Sequence, residues 1–291
     1  MLPYHNPVPQ DDLTLSIDNV VLDFELPTPA KRNCLMNLMD ILPIRYTVEV
    51  VHWNSFRPGT FKEQFSIRMS DGTSFWVGAA LVSTSTLWGR CRMEFNPNKV
   101  ASHDVFNVVL GFFLENTRPI LRKIARFDLA VDIPIPRHRC FLVKDMRLYI
   151  ERRHGQEYTQ YLGAKSSAVG RVKLYNKQVE SKLSEPLTRL ELTLDPTTPY
   201  EKIRFPSVFC LGSTHVDLDG KRVTDTDRFI LNALLQGYGT LNDLGRKTRA
   251  KMEMLMKTYV RRIDVTAESY AAILQQLQAY LDGTHQEVES V

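Results

Sequence analysis

Three segments of the sequence could carry chemistry, because they combine the two-residue alternation of β-strands with charged side chains on one face. They are IARFDLAVDIP (124–134), RVKLYNKQVE (171–180) and LTRLELTLDP (187–196), and the second places a tyrosine on its charged face. The charged-face residues are Arg126, Asp128 and Asp132, then Arg171, Lys173, Tyr175 and Lys177, then Arg189 and Glu191. Apolar residues fill the opposite face, so the pattern predicts an antiparallel sheet with one apolar face and one acidic, tyrosine-bearing face.

Carboxylates grouped on one face repel one another unless a cation compensates them. Asp128, Asp132 and Glu191 would suit a hard divalent ion with oxygen ligands, such as Mg²⁺ or Mn²⁺, and such an ion could polarise a phosphodiester. The oxygen of Tyr175 could then attack the phosphorus. A phenol has a reference pKa of about 10, so attack at neutral pH requires help from the metal, a lysine or a base.

Three basic residues of the same face are candidates for this help. Lys173, Lys177 and Arg189 would also stabilise the negative charge that develops on the phosphorus centre. The alternative is a solvated sheet face on which arginines and carboxylates form purely structural salt bridges. The pattern by itself leaves both interpretations open.

The elements around these segments predict an α+β protein. Two similar antiparallel-sheet units, at 1–117 and 118–220, are followed by a basic helical segment at 221–291. In the first unit, PTPAKRNCLMNLMDIL has the threonine cap and early proline of a helix start, and SDGT at 70–73 is a hairpin signal. HDVFNVVLGFFLENT is predicted to be a buried helix.

The second unit repeats the pattern of the first and indicates a weak internal duplication. IARFDLAVDIP resembles VVLDFELP, and LTRLELTLDP resembles GRCRMEFNP. Between them we expect a helix near 140–152 and a hairpin formed by EYTQYLGA and GRVKLYNKQ.

Bulk properties are those of a soluble globular protein, with 43% hydrophobic and 24% charged residues and a net charge of +4. The four cysteines are far apart and form no Cys-x-x-Cys pair, which favours a reducing cytoplasm over a disulfide framework or a zinc site. We expect no signal peptide and no membrane span.

Positive charge is concentrated between residues 221 and 263, which contain ten basic and four acidic residues. Arg246, Lys247, Arg249 and Lys251 are candidates for contacts with DNA phosphates, and the alternative is a solvated helix that packs on the sheet. Trp53, Trp76 and Trp88 are interpreted as core or dimer contacts, with stacking on unpaired bases as the alternative.

RFDLAVDIP, YLGAKSS, RVKLYNKQVE and LTRLELTL, in this order and spacing, resemble the trans-acting replication initiators of rolling-circle plasmids and phages, the Rep_trans or replication initiation factor family. The resemblance covers roughly residues 13–200. It implies a Rep-type, HUH-like antiparallel scaffold and a metal-dependent endonuclease. Such an enzyme nicks one strand of origin DNA through a tyrosine that becomes joined to the 5′ phosphate, and it later transfers the strand.

Carried over to this chain, the resemblance makes Tyr175 the nucleophile, with Tyr158 and Tyr161 as competing tyrosines. Lys177 would contact the scissile phosphate or the tyrosine oxygen. The metal, Mg²⁺ or Mn²⁺, would be held by Asp128 and Glu191 with Asp132 as a third ligand, and the DNA contacts near the tyrosine would be Lys165, Arg171 and Lys173.

Two motifs of related nucleases are not in this sequence. It has no His-hydrophobic-His pair, which points to the carboxylate-metal branch, and no Walker-type loop, so unwinding would fall to a host helicase. The expected partners are origin DNA and a second copy of the chain, and no membrane. A relaxase of a mobilisable element, or a non-catalytic DNA-binding regulator with the same fold, are the alternatives. Nothing in the first half matches the tyrosine strand, so that half is itself a candidate for the non-catalytic case.

Overall fold

Strands and helices alternate along the residues that the computed structural model describes, which are 6–7, 14–57, 60–81, 89–155, 157–164, 167, 170–210, 217–218, 221–263 and 265–284. The strands are β1 (Asn6–Pro7), β2 (Thr14–Glu25), β3 (Val48–Asn54), β4 (Phe61–Met69), β5 (Ser74–Leu81), β6 (Arg90–Phe95), β7 (Arg122–Ile133), β8 (Cys140–Leu142), β9 (Tyr149–His154), β10 (Glu157–Leu162), β11 (Arg171–Asn176), β12 (Thr188–Leu194), β13 (Ser207–Cys210), β14 (Asp217–Leu218), β15 (Lys221–Arg222) and β16 (Val260–Arg262). The α-helices are α1 (Pro29–Arg45), α2 (Pro97–Val100), α3 (Asp104–Asn116), α4 (Lys177–Ser181), α5 (Asp225–Leu235), α6 (Arg246–Tyr259) and α7 (Ala267–Asp282). The fold is α+β, as predicted.

The chain divides into two compact units, and neither is a single continuous stretch. Unit 1 comprises Met1–Ser16, Leu129–Leu194 and Thr198–Thr266. Unit 2 comprises Ile17–Asp128, Asp195–Thr197 and Ala267–Val291. Strand β7 contributes residues to both.

Unit 2 contains an antiparallel sheet with the strand order β2-β6-β5-β4-β3. Helix α1 begins as predicted, since Pro29 is its first residue and the Thr28 hydroxyl accepts a hydrogen bond from the Lys31 backbone N–H at 3.3 Å. The predicted hairpin joins β4 to β5, and Gly72 supplies the positive φ of +84° that this turn requires.

The core of unit 2 lies between the apolar sheet face and α3, which is the predicted buried helix. Phe24 of β2 stacks on Phe113 of α3 with a ring-centroid distance of 4.6 Å. Tyr280 of α7 packs edge-on against Phe95 of β6. A fully buried aromatic or aliphatic side chain stabilises the folded state by about 1.5–3 kcal/mol, so such contacts hold the helices against the sheet.

Unit 1 contains a sheet with the order β7-β12-β11-β10-β9, in which β12, β11, β10 and β9 pair antiparallel. A second sheet has the order β1-β16-β13-β8. Helices α5 and α6 pack on it through a buried apolar cluster that includes Phe209, Leu231, Leu235, Met252 and Leu255. Helices α5 and α6 of the basic helical segment therefore share a unit with the tyrosine strand, whereas α7 belongs to unit 2.

The two units repeat the same strand order, which supports the internal duplication. In each unit, the five strands of the larger sheet lie in the order first, fifth, fourth, third, second along the chain. The repeat relates β11 and β12 of unit 1 to β5 and β6 of unit 2.

One predicted element is wrong. The helix expected near 140–152 is instead strand β8, a loop and strand β9. The apolar residues of this stretch also fit helical spacing, but pairing of β9 with β10 and of β8 with β13 satisfies the backbone instead. Strand β16, inside the segment predicted to be all helical, was also not anticipated.

Within the described ranges, no helix is long and apolar enough to span a membrane.

Candidate active site around Tyr175

The pairing of β11 with β12 assembles the predicted charged face. Tyr175 lies directly opposite Arg189, and Lys173 lies opposite Glu191. Side chains of directly opposed residues point to the same face of a sheet, so these four are neighbours. Tyr175 nevertheless has only 5% of its surface exposed, so it is buried among charged groups rather than displayed to solvent.

The hydroxyl of Tyr175 lies between two carboxylates. It donates a hydrogen bond to Glu191 Oε1 at 2.5 Å, and Glu180 Oε2 is 3.3 Å from the same hydroxyl oxygen. A short, charge-assisted bond of this kind polarises the O–H group toward the carboxylate. Glu191 was predicted from the strand pattern, whereas Glu180 was not among the predicted site residues.

Helix α4 explains how Glu180 reaches the tyrosine. The strand ends at Asn176, whose side chain caps α4 by accepting a hydrogen bond from the Val179 backbone N–H at 3.3 Å. The chain therefore turns immediately after Tyr175, and the next residues no longer follow strand alternation. An asparagine at the end of the strand, followed by Lys177 and Glu180 at helical i,i+3 spacing, was the signal that could have located Glu180.

Each of the two carboxylates is held by a lysine. Lys173 Nζ donates to Glu191 Oε2 at 3.1 Å and lies 3.7 Å from the centroid of the Tyr175 ring. Lys177 is buried and its ammonium donates to Glu180. Tyr175, Glu180, Glu191, Lys173 and Lys177 are called the tyrosine cluster below.

The charges of the cluster favour the ionised form of Glu180. Burial raises the pKa of Glu180, but the hydrogen bond and charge of Lys177, the charge of Lys173 and the Tyr175 hydroxyl outweigh it and hold that pKa below its usual value. Glu180 is therefore an anion at neutral pH. An acceptor carboxylate 2.5 Å from a phenol is placed to take its proton, and two ammonium groups are placed to stabilise the phenolate.

Two other predicted site residues come together as an ion pair. Arg189 Nε donates to Asp132 Oδ1 at 2.6 Å, and a second guanidinium nitrogen donates to Asp132 Oδ2 at 2.6 Å. This is the bidentate geometry in which guanidinium and carboxylate bind most strongly. Asp132, predicted as a metal ligand, is thus compensated by Arg189, which was predicted to assist the tyrosine.

The described residues do not supply the predicted three-carboxylate metal site. No group of three or more His, Cys, Asp or Glu side chains in the described part of the chain could hold a metal ion. Glu191 and Asp132 are engaged with Lys173 and Arg189 instead. A divalent cation stays a prediction of the resemblance.

The two competing tyrosines lie against arginines. The Tyr161 ring is 4.7 Å from the guanidinium carbon of Arg171 and 5.7 Å from that of Arg152. The Tyr158 ring is 4.1 Å from that of the buried Arg137, and burial raises the Tyr158 pKa. These are cation–π contacts, in which the ring faces matter rather than the hydroxyl groups. The hydroxyl of Tyr175, by contrast, bonds to two carboxylates.

The basic residues predicted to contact DNA separate into structural and exposed groups. Arg249 donates to the backbone carbonyl of Leu241 at 2.8 Å, and Lys251 donates to Asp227 at 2.6 Å, so both tie α6 to the elements before it. Arg246 and Lys247 are exposed at the start of α6. Lys165 lies outside the described residues.

No protein-family model and no curated protein matches this chain. Among solved structures it is similar to a rolling circle replication initiator protein from Geobacillus stearothermophilus, with 12% sequence identity over 91% of this chain and 97% of that chain, and a TM-score of 0.39.

Proposed function

We propose that this chain is a DNA-nicking replication initiator of the rolling-circle type, with Tyr175 as the nucleophile. The observation that carries the proposal is the Tyr175 hydroxyl, which donates to Glu191 at 2.5 Å with Glu180 at 3.3 Å and two lysines around them. The order of the four sequence motifs supports it independently. A tyrosine on a solvated sheet face, the alternative interpretation, would not be expected to lie between two carboxylates and two lysines.

The reaction is an exchange of phosphodiester bonds. Glu191 takes the proton from Tyr175 while the phenol oxygen attacks the phosphorus, and a bond forms between that oxygen and the 5′ phosphate. The bond from phosphorus to the 3′ oxygen breaks, and the leaving oxygen takes a proton from the ammonium of Lys177. Lys173 stabilises charge on the phenolate and the phosphoryl oxygens. The products are a phosphotyrosine-linked strand and a free 3′ hydroxyl, and the reverse reaction with another 3′ hydroxyl transfers the strand.

The substrate must reach a tyrosine that is buried. Of the two contacts on the hydroxyl, the one to Glu180 is the longer, at 3.3 Å, and the Glu180 side chain is 48% exposed. We propose that the entering phosphate displaces Glu180 and takes over its bond with Lys177. Glu191, which is 11% exposed, stays in place as the base.

No step of this reaction uses the divalent cation implied by the resemblance, since Glu191, Glu180 and Asp132 are each paired with a lysine or an arginine. A chelator tests it directly. Nicking that needs added Mg²⁺ or Mn²⁺ would establish the requirement, and nicking that persists in excess chelator would show that the cationic side chains suffice.

A covalent-capture experiment tests the proposed function. The chain is incubated with a pool of single-stranded 40-nucleotide DNA of random sequence labelled at the 3′ end, with Mg²⁺ or Mn²⁺, and is then run on a denaturing gel. The label stays on the fragment that becomes attached to the tyrosine. We expect a labelled protein band from wild type and a loss of about 10⁴-fold or more in Tyr175→Phe.

Tyr161→Phe is the matched control, because it removes a hydroxyl from a neighbouring strand of the same sheet and should leave the labelled band unchanged. The nicking activity would be refuted if wild type gave no covalent adduct with this pool or with a supercoiled plasmid. That plasmid carries the DNA that flanks the gene encoding this chain. A band of equal strength from Tyr175→Phe would refute the nucleophile.

A further inference from the structure

Unit 2 contains a counterpart of the ion pair that lies beside Tyr175. Arg92 Nε donates to Asp23 Oδ1 at 2.6 Å, and its NH2 nitrogen donates to Asp23 Oδ2 at 3.0 Å. Glu94 follows Arg92 by two residues in β6, just as Glu191 follows Arg189 in β12. The repeated strand order and this repeated pair identify β5–β6 as the structural equivalent of β11–β12.

The pairing register shows what replaces the tyrosine. Gly78 of β5 lies opposite Arg92, where Tyr175 lies opposite Arg189, and Trp76 lies opposite Glu94, where Lys173 lies opposite Glu191. A Cβ at Gly78 would lie 2.3 Å from the Trp76 ring and 2.7 Å from the Phe61 ring, so the position admits no side chain without rearrangement. This equivalent position therefore carries no nucleophile.

An open cleft of about 760 Å³ lies beside Trp76 and Glu94, and we call it the tryptophan cleft. Its lining includes Asn19, Ser66, Trp76, Glu94, Asn96 and Lys99. Trp76 supplies an aromatic surface, and its ring meets Phe61 edge-on at 5.7 Å between centroids. Glu94 Oε1 accepts from Asn19 at 3.0 Å and from Arg126 at 3.1 Å, and Oε2 takes part in no hydrogen bond within the described ranges.

These groups match an unpaired nucleobase better than a phosphate. A tryptophan ring stacks on any base, and carboxylate, amide and hydroxyl groups hydrogen-bond to base edges. Among the lining residues, Lys99 supplies positive charge, whereas Glu94 and Asp71 supply negative charge. A site built for phosphate would have the opposite balance.

We propose that the tryptophan cleft binds an unpaired base of single-stranded DNA without cutting it. The proposal rests on the proposed function in one respect, which is that the ligand is the DNA strand on which the tyrosine cluster acts. A duplicated site has thus kept its ion-pair framework and exchanged a nucleophile and a lysine for a stacking surface.

The test measures binding separately from nicking. In a Tyr175→Phe background, which cannot react, the affinity for a fluorescein-labelled single-stranded 12-mer of mixed sequence is measured by anisotropy. Trp76→Ala is expected to weaken binding about tenfold, as loss of one stacked base does. Trp76→Phe keeps a ring and should stay within about threefold of the parent. Trp53→Ala is the matched control, because Trp53 is 40% exposed on β3 of the same unit and does not line the cleft.

The outcomes separate the two proposals. The proposal that the tryptophan cleft binds a base would be refuted if Trp76→Ala bound the 12-mer as tightly as its parent. Thermal unfolding must show that both proteins are folded. Equal losses of affinity in Trp76→Ala and Trp53→Ala would also refute it, since the effect would then not be specific to the cleft. A mononucleotide that competes as well as the 12-mer would refute the strand as ligand. If wild type forms no covalent adduct but the Trp76 effect is found, the nicking proposal fails and the cleft stands.

Discussion

The tyrosine cluster of unit 1 and its equivalent in unit 2 share a framework and differ in chemistry. Both have a bidentate arginine–aspartate pair, Arg189–Asp132 in one and Arg92–Asp23 in the other, and both have a glutamate two residues after the arginine. Only unit 1 places a tyrosine and a lysine on the neighbouring strand. Because the ion pair occurs without a nucleophile in unit 2, we infer that it holds the sheet in both units.

Two predicted site residues take part in the unit 1 pair. Arg189 and Asp132 belong to the shared framework, so we infer that they position the sheet under Tyr175 rather than act on phosphate or metal. In the proposed reaction, proton transfer is then assigned to Glu191 and Lys177.

Substitution of the two equivalent glutamates, Glu191 and Glu94, should give the largest difference in the rate of adduct formation. Glu191→Gln removes the base that accepts the Tyr175 proton and should slow adduct formation by about 10²–10⁴-fold. Glu94→Gln makes the same change in a unit without a nucleophile, and at saturating DNA, where weaker binding in the tryptophan cleft has no effect, it should alter the rate of adduct formation by less than about twofold. Single-turnover adduct formation on the 3′-labelled DNA pool measures both. Similar rates for the two variants would remove Glu191 from the mechanism.

Much of the site was predictable because strand alternation is enforced by burial. Leu174 and Leu190 lie in the core, so their neighbours Lys173, Tyr175 and Arg189 must face the other way. Alternation could not predict Glu180, because Asn176 ends the strand and starts a helix at that point.

Other features depend on partners that are distant in sequence. The helix expected near 140–152 is replaced by strands, since β8 and β9 find partners in β13 and β10. The equivalence of Trp76 and Lys173 is visible only in the pairing register, because the two residues share no chemical property. Sequence similarity between the halves indicated the repeat, but it could not show which positions correspond.

Breaking either framework pair should reduce stability by a similar amount. Asp23→Asn and Asp132→Asn each replace a carboxylate that accepts two hydrogen bonds from one guanidinium, and Asp23 accepts a third from Arg90. We expect each substitution to lower the free energy of unfolding by about 1.5–3 kcal/mol. Urea denaturation measures this. The folded Asp23→Asn protein should form the covalent adduct at the wild-type rate. A loss of adduct in Asp132→Asn without any loss of stability would instead assign that pair to the reaction.

The smallest expected effect is a pH dependence of stability in unit 2. Burial raises the pKa of Asp23, but the hydrogen bonds and charges of Arg92 and Arg90 outweigh it, so the pKa of the folded state lies below the ordinary value of 3.8. A depressed pKa means that the folded state holds the proton less tightly than the unfolded chain. The resulting stabilisation is complete above the unfolded-state pKa and is lost as the pH falls through the lower, folded-state value.

The difference in unfolding free energy between wild type and Asp23→Asn should therefore be constant above about pH 5 and shrink below about pH 4, because asparagine does not titrate. Urea unfolding at a series of pH values from 3 to 7 measures this difference. If the unfolding free energies of wild type and Asp23→Asn differ by the same amount down to the lowest pH, the Asp23 carboxylate is not held ionised by its two arginines. The framework of unit 2 would then be a looser contact than its geometry indicates, and its equivalence to the pair beside Tyr175 would rest on strand order alone.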